Sequence, residues 1–547
     1  MEAVEVFQCK RPVLTQSPLV ANGCVDKEDR LLYQGSQQLE ALLVRCMRGL
    51  SQCSADDYRS YVKAHPAPPT GTACSGTDSP LLALQAVSRA IGDVFNLDWG
   101  PGHKFSAELC PRKRKFLMET CGPKVPKLFG DCTELGETAY DHISKQHVPV
   151  DDVEWLFMGF PCKDVSSLCE KRAEHRDAFA EDMTKSPQTG VVFKDGVLRY
   201  VKEHGSQLQA VLLENVLGLA VGSPSPLDTC VAELHAAGMQ TFVYNLSPLD
   251  LGFPIARPRL WLLCVPRALI NGMALHAAQA IMQTTIDLCA SEGPSHLTFE
   301  HTLLDDGHHV LQAELDACKK APCVEWADVP KKRLQRNTSW PEQHLEHCMH
   351  SASSSSKWAE NPVPGSMEQT LFPTLRMIGP REFDMLRIKF GMTYPQRPRR
   401  VVNISQSFKR STENPGTLTP GMRHYISDKC RLVNGLEAFL QQGLYYGSEM
   451  MDTIAANFTS QFLLDLSGNA FHVWVVAIFF FAGQNLLAKC ARCRQPCPYD
   501  GVLPPLEEAA EALGTSLDLD ALWAAAPAAP YGGLQLGDMW CSTGSPT

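Results

Sequence analysis

Cys162 follows a Gly-Phe-Pro turn directly after the apolar run Val153–Met158. A cysteine at the carboxyl end of a strand, beside free backbone N–H groups, is placed to act as a thiolate nucleophile. The alternative is a buried structural cysteine, a common fate of this residue. Fifty-two residues on, Leu212-Leu213 runs into Glu214-Asn215-Val216, so a second apolar run also ends in polar groups. If the two strands are neighbours, Glu214 reaches the same cleft and can hold or donate a proton while the cysteine attacks. A lone glutamate there also reads as a helix cap or a surface acid. In Leu251 to Trp261, Arg257 and Arg259 stand at i and i+2. On an extended segment they point to one face and suit a base carbonyl or a phosphate. The plainer reading is a pair of edge-strand charges.

A further set of strand ends lies earlier. Cys74-Ser75-Gly76-Thr77-Asp78-Ser79 links a short strand to a helix, a turn whose backbone can approach a ligand closely. Glu108 ends the next strand and suits ribose hydroxyls; Asp131 ends the third and suits an adenine amine. Each alone reads as a surface acid, but three in order suggest a nucleoside-containing cofactor. Cys490, Cys493 and Cys497 form a Cys-x2-Cys-x3-Cys run with no evident fourth ligand, so no metal is expected.

The elements that must position these residues are legible as alternation. Short apolar runs fall at 72–74, 105–110, 127–130, 153–159, 209–214, 241–246 and 260–265, with helical patterns between several of them, such as 81–91 and 197–204. This predicts an α/β doubly wound sheet. The first strand is weak, because Pro68, Pro69 and Gly71 leave it little room. Residues 1–68 form an N-terminal extension with one amphipathic helix around Leu39 to Leu50. The core is expected over 69–266, and 267–430 is irregular and polar, with Ser353–Ser356 and Lys331-Lys332-Arg333, and reads as a smaller domain. Helical pattern returns over 431–487. Residues 488–547 read as an acidic, disordered tail with one short helix near Leu506–Leu513.

Composition narrows the class. The 547 residues carry 50 Lys+Arg against 60 Asp+Glu, a net charge of −10, which excludes a globally basic nucleic-acid coat. Seven of the acids lie beyond Gln495, where there is no Lys or Arg. From Arg376 to Arg431, twelve basic residues face four acids, a net of +8 that suggests a polyanion-facing surface or a solvated face. Twenty-one irregularly spaced cysteines and no signal-peptide pattern predict a reducing, intracellular compartment. The apolar run Ala470–Gly483 is shorter than the roughly 20 residues needed to span a bilayer and reads as a buried segment, with no membrane partner.

Taken in order, the motifs resemble the DNA (cytosine-5) methyltransferase family, over about 71–265 and again over 431–483. Gly159-Phe160-Pro161-Cys162 and Glu214-Asn215-Val216 carry most of it. Arg431-Leu432, Glu437 and Gln442-Gly443 look like the family's penultimate motif, and Gly468-Asn469-Ala470 with Val475 and Ala477-Ile478 like its last. The resemblance implies a Rossmann-like S-adenosylmethionine-dependent fold with a target-recognition domain at 267–430, facing the catalytic cleft across a groove lined by the basic segment. It implies DNA as partner, with affinity that falls as salt rises. The implied catalytic residues are Cys162, Glu214, Arg257, Arg259 and Asn215. Cys162 would attack carbon 6 of a flipped cytosine, Glu214 would stabilise protonated nitrogen 3, and Arg257 would hold the base carbonyl and the cysteine region. The implied S-adenosyl-L-methionine residues are Cys74, Ser75, Gly76, Asp78, Glu108, Asp131, Cys132, Pro161, Asn469 and Ala470.

Three positions depart from the family pattern: Lys163 stands where Gln is usual, Ile255 stands where Gln precedes the arginine pair, and Cys74, Thr77 and Asp78 replace an aromatic and glycines. The first two bear on the catalytic loop and base contacts, the third on cofactor affinity. Two alternatives stay open, a transfer-RNA cytosine-5 methyltransferase and an inactive DNA-binding paralogue. A DNA substrate implies the nucleus in a eukaryote and the cytoplasm otherwise, and no secretion. Protein partners, target context and oligomeric state are not legible.

Overall fold

The computed structural model describes residues 6–8, 30–120, 125–166, 188–271, 273–294, 297–322, 372–379, 382–383, 386, 395, 399–404 and 411–493. The serine run, Lys331–Arg333, Cys497 and the tail beyond Cys493 lie outside the described residues, while 488–493, expected as the start of that tail, continue a helix.

Among the described residues, ten strands form one sheet: β1 (Val6–Gln8), β2 (Pro69–Ala73), β3 (Gly102–Ala107), β4 (Leu128–Phe129), β5 (Thr138–Asp141), β6 (Gln146–Pro149), β7 (Trp155–Met158), β8 (Ala210–Asn215), β9 (Met239–Leu246) and β10 (Arg259–Pro266). Their order is β1-β9-β10-β8-β7-β2-β3-β4-β5-β6. The run β8-β7-β2-β3-β4 is parallel, and β10 is antiparallel to both β8 and β9. The sheet is α/β, as the alternation predicts, and Rossmann-like, as the resemblance implies, and all seven expected strands are present. β1, β5 and β6 are additions, each of three or four residues and too short to show a pattern.

The weakest expected strand, β2, is central in the sheet, between β7 and β3. Pro69 is its first residue, the one strand position that loses little without an N–H. Gly71 is needed because a Cβ there would meet the Phe105 ring at 2.5 Å. Every parallel strand therefore ends on one side of the sheet, where α/β folds place their ligands.

Helices cover both faces. On one face lie α1 (Arg30–Arg48), α2 (Gln52–Ala64), α3 (Ser79–Phe95), α4 (Leu275–Ser291) and α5 (Val473–Cys493). α5 contains the long apolar run. The stretch Ser460–Cys493 is long and apolar enough to cross a membrane, with mean hydropathy 1.7, yet its apolar window is 100% buried inside the protein. Phe479, Phe480 and Phe481 are fully buried. Trp155 of β7 packs on Phe480 at 4.4 Å between ring centroids, and Tyr244 and Trp261 pack on Phe479. Each such ring contributes on the order of 1.5–3 kcal/mol by leaving water. The other face is closed by Phe193, Val197 and Tyr200 and by the helix Pro226–Ala236.

A second sheet, of β11 (Val401–Asn403), β12 (Ser411–Thr412), β13 (His424–Ile426) and β14 (Arg431–Leu432), has its own small core of Leu375, Ile378, Val402, Ile404 and Tyr425. This core starts later than the boundary expected at 267. Residues of α4 (Ala278, Met282, Ile286, Cys289) are buried in the large core, so that helix belongs with the sheet. The +8 segment also differs from expectation. Six of its twelve basic residues are described, and most are engaged within the chain. Arg399 pairs with Asp428 and Glu300, Lys429 with Asp306, and Arg431 with Glu437. Arg376 and Arg423 donate to the carbonyls of Ala321 and Met377.

The Arg431–Glu437 pair joins the two parts. Glu437 is 0% exposed. Its carboxylate accepts from Arg431 Nη1 and Nη2 at 2.8 and 2.6 Å, from Asn434 N at 2.8 Å and from Leu304 N at 3.0 Å. Removing one partner strands the other as a buried charge. Arg431→Leu is expected to lower unfolding free energy by about 3–5 kcal/mol in urea titration; a loss under ~1 kcal/mol contradicts this role.

Candidate active site at the strand ends

β7 and β8 are parallel neighbours in register, Met158 opposite Leu213. The loop after β7 and the last residues of β8 therefore meet. Asn215 Nδ2 donates to the Phe160 carbonyl at 3.3 Å, tying the Glu-Asn-Val segment to the Gly-Phe-Pro-Cys turn. The Cys162 carbonyl accepts from Val165 N and Ser166 N, which winds the chain into a turn just after the thiol. Asp164 fixes that turn from below, accepting from Thr189 N at 3.0 Å and Thr189 Oγ1 at 2.8 Å. Gly218 closes the other side; a Cβ there would lie 1.9 Å from the Val165 carbonyl oxygen.

Cys162 and Pro161 are half-buried at the cleft, and Lys163 is exposed. Burial and the Glu214 charge push the Cys162 thiol up, against the pull of Arg259 and Arg257. The cysteine, the glutamate and both arginines therefore share one electrostatic centre. Within it the arginines divide. Arg259 Nε lies 2.9 Å from Glu214 Oε1, while Arg257 Nη2 is 3.9 Å away. The Arg259 approach is a close ion pair without hydrogen-bond alignment, since Glu214 Oε1 has no well-directed donor.

Arg257 is 3% exposed and turns to backbone carbonyls: Nη1 to Leu418 at 2.6 Å, Nη2 to Ala470 at 3.0 Å, and both to Gly468. Burial and the neighbouring Arg259 lower its pKa to about 9, so it stays charged at neutral pH. The expectation that Arg257 reaches the base carbonyl is thus corrected. Its terminal nitrogens are committed to the scaffold, and Arg259 is the arginine beside Glu214. Ile255, expected to alter base contacts, is fully buried in the large core.

The second set of strand ends is also assembled. Glu108, buried after β3, accepts from Gly76 N and Cys110 N, both at 2.9 Å. Asp131 accepts from Thr133 N and Thr133 Oγ1 on one oxygen. Cys74, Gly76 and Asp78 have φ of 52°, 53° and 49°, so the loop after β2 coils left-handed at alternate residues. Non-glycine residues resist that region by roughly 1–2 kcal/mol each. Hydrogen bonds hold them there: Asp78 accepts from Thr72 Oγ1 and Ser106 Oγ at 2.6 Å each, and Ser75 Oγ contacts Thr72 Oγ1 and the Ala107 carbonyl. The Asp78 and Ser75 side chains thus staple β2 to β3, and it is the backbone of this turn that is expected to face a ligand.

The last motif adjoins the site through its backbone. The Ala470 carbonyl receives Arg257, whereas the exposed Asn469 side chain donates to Asp465 within its own helix, Ser460–Asn469. Phe471 packs over Gly159, where a Cβ would meet its ring at 2.7 Å. Tyr446 Oη donates to the Thr77 carbonyl at 2.7 Å. Sequence reasoning missed Tyr446 and gave no role to Phe471 or Asp164, and the partners of all three lie 25 or more residues away. Away from the cleft, His308, His309 and Asp452 bring one ligand atom each within 4.8 Å of one another, with His309 and Asp452 exposed.

Sheet order, reversed β10 and the strand-end Cys/Glu/Arg centre make this a Rossmann-like fold with a site resembling that of cytosine-5 methyltransferases. One curated relative agrees with the resemblance. DNA (cytosine-5-)-methyltransferase DMT5 of Cryptococcus neoformans var. grubii is 27% identical over 437 residues, covering 76% of this chain. The chain spans only 17% of that relative's length. No family model matches the chain. Similar solved structures include Entamoeba histolytica methyltransferase EhMeth (12% identity, TM-score 0.37, 76% of this chain and 98% of that one). S. pombe Dnmt2 methyltransferase has 13% identity and TM-score 0.36, covering 76% and 97%. A putative E. coli prophage DNA modification methyltransferase has 13% identity and TM-score 0.39, covering 76% and 98%.

The raised Cys162 pKa has a direct readout. Alkylation by iodoacetamide, followed on the Cys162 peptide by mass spectrometry, is expected to be slow at pH 7 and to rise with pH. Glu214→Gln removes the negative charge that raises the pKa, so thiolate and rate should increase at fixed pH. An unchanged or slower rate in that variant contradicts the coupling.

Proposed function

We propose that this chain transfers a methyl group from S-adenosylmethionine to carbon 5 of cytosine in DNA, through a covalent bond from Cys162. The observation that carries the reading is the delivery of Cys162 and Glu214 to one cleft by the adjacent parallel strands β7 and β8, with Arg259 at 2.9 Å from Glu214.

The donor site has features that fit such a cofactor. Thr77 Oγ1 in the loop after β2 and Ser79 Oγ at the start of α3 are buried with no hydrogen-bond partner among the described residues. Glu108 and Asp131 stand at the next two strand ends, where a carboxylate can accept from hydroxyl and amine groups. S-adenosylmethionine supplies an electrophilic methyl group when bound.

The chain's own residues do the rest. Cys162 Sγ bonds to carbon 6 of a cytosine taken out of its stack, at a cost of a few kcal/mol in lost stacking. Glu214 holds the proton at nitrogen 3 as that bond forms, so charge does not build on the ring. Arg259 keeps Glu214 in place and faces the base. Carbon 5 becomes nucleophilic and takes the methyl group; loss of its proton then breaks the carbon–sulfur bond and frees the thiolate. Asp164 and Gly218 position the turn that carries Cys162.

DNA is favoured over RNA by the Gly-Phe-Pro-Cys-x-Asp-Val-Ser wording and by the long 267–430 region. The relative's name is that of a DNA methyltransferase. Labelled S-adenosylmethionine offered with duplex DNA or transfer RNA tests the substrate. Label on DNA as 5-methylcytosine, lost in Cys162→Ala by at least about 10³-fold, is the expected result. Label on transfer RNA alone overturns the substrate, and no transfer to either overturns the activity.

A further inference from the structure

We propose that Cys74 and Cys132 are a site of reversible oxidative modification, whose disulfide closes the donor cleft. The consequence for donor binding rests on the proposed function; the bond itself rests on geometry.

The two sulfurs lie 3.9 Å apart, 58 residues apart in sequence. Both are free thiols, Cys74 half-buried and Cys132 buried. Cys74 follows β2 and Cys132 follows β4, and both strands pair with β3 between them. The contact therefore spans the end of β3, where Glu108 stands. A nucleoside seated on these three strand ends has to lie against the sulfurs. A disulfide there shortens the contact to about 2.0 Å and draws the two loops together over Glu108.

Each side is held in place for the approach. Cys74 sits at φ 52° in the left-handed loop stapled by Asp78. Cys132 sits in a tight turn capped by the Asp131 carboxylate, which accepts from Thr133 N. Behind it, a Cβ on Gly196 would lie 3.5 Å from its sulfur, so Cys132 has backing on that side. The chemistry balances with hydrogen peroxide as oxidant. One thiol attacks peroxide and becomes a sulfenic acid, releasing water. The second thiol attacks that sulfur and releases a second water. The thiols lose two electrons and two protons, and a dithiol reductant restores them. In a reducing compartment such a bond is transient, as a sensor requires. Contact with Cys132, burial and Glu108 hold the Cys74 thiol well up, which makes the reaction slow at neutral pH and faster as pH rises.

The test uses the full chain carrying Cys162→Ala, so that oxidation of the nucleophile does not enter the readout. After hydrogen peroxide, non-reducing peptide mapping is expected to show Cys74 linked to Cys132. Affinity for S-adenosylmethionine, by calorimetry, is expected to fall at least tenfold and to return with dithiothreitol. Donor added before peroxide should slow the linkage. In Cys132→Ser, and separately Cys74→Ala, peroxide should leave each variant's own affinity unchanged. Absence of the linked peptide overturns the proposal. A linked peptide with unaltered affinity overturns the closure. If the untreated protein binds no donor, the proposed function fails, while the peptide map still decides the bond.

Discussion

A buried guanidinium holds this site together. Arg257 is almost fully enclosed, and its partners are three backbone carbonyls from two distant segments, Leu418 on one side and Gly468 with Ala470 on the other. A cation in such a place is tolerated only where oxygen atoms surround it. That demand fixes three pieces of chain at once: the approach to β10, the strap before β13, and the turn that launches α5. The strap is reinforced by Ala256 N donating to the Pro415 carbonyl. The turn brings Phe471 over Gly159, beside the Cys162 loop. Glu214, 3.9 Å from the same guanidinium, is the near carboxylate, so the two charges feel one another.

The rest of the chemistry is built by subdivision. Arg257 holds structure and Arg259 holds Glu214, although the two differ by only two positions. The same division recurs in the loop after β2. There Ser75 and Asp78 stitch strands together, while the hydroxyls of Thr77 and of Ser79 at the start of α3 have no partner among the described residues. A loop that replaces an aromatic and glycines with Cys, Thr and Asp keeps its left-handed course because hydrogen bonds compensate the steric cost. These departures from the family pattern leave the strand-end geometry assembled.

Much of the sheet and the nucleophile loop is legible in sequence, because apolar runs ending abruptly in polar residues are a one-dimensional record of strand ends. Cys162 and Glu214 are legible for that reason. What is not legible depends on contacts across long separations. Arg257 and Arg259 look alike on an extended segment; only the carbonyls of 418 and 468–470 decide which one is buried. Arg399 and Lys429 count as surface charge in a composition sum, yet Glu300 and Asp306, 99 and 123 residues earlier, neutralise them. The helix Leu275–Ser291 is masked by its Ala, Thr and Gln content, and its place in the large core follows from packing on α5. β2 looks too poor for a central strand, but Gly71 is what lets Phe105 lie across it.

The central claim is that Cys162 bonds covalently to cytosine carbon 6 within this centre. A duplex with 5-fluorocytosine in place of cytosine tests it most directly, because fluorine at carbon 5 prevents the proton loss that frees the enzyme. With S-adenosylmethionine present, the account predicts a stable protein–DNA adduct that peptide mapping places on Cys162. An adduct on another residue, or turnover of duplex cytosine with no trapped adduct, would contradict it.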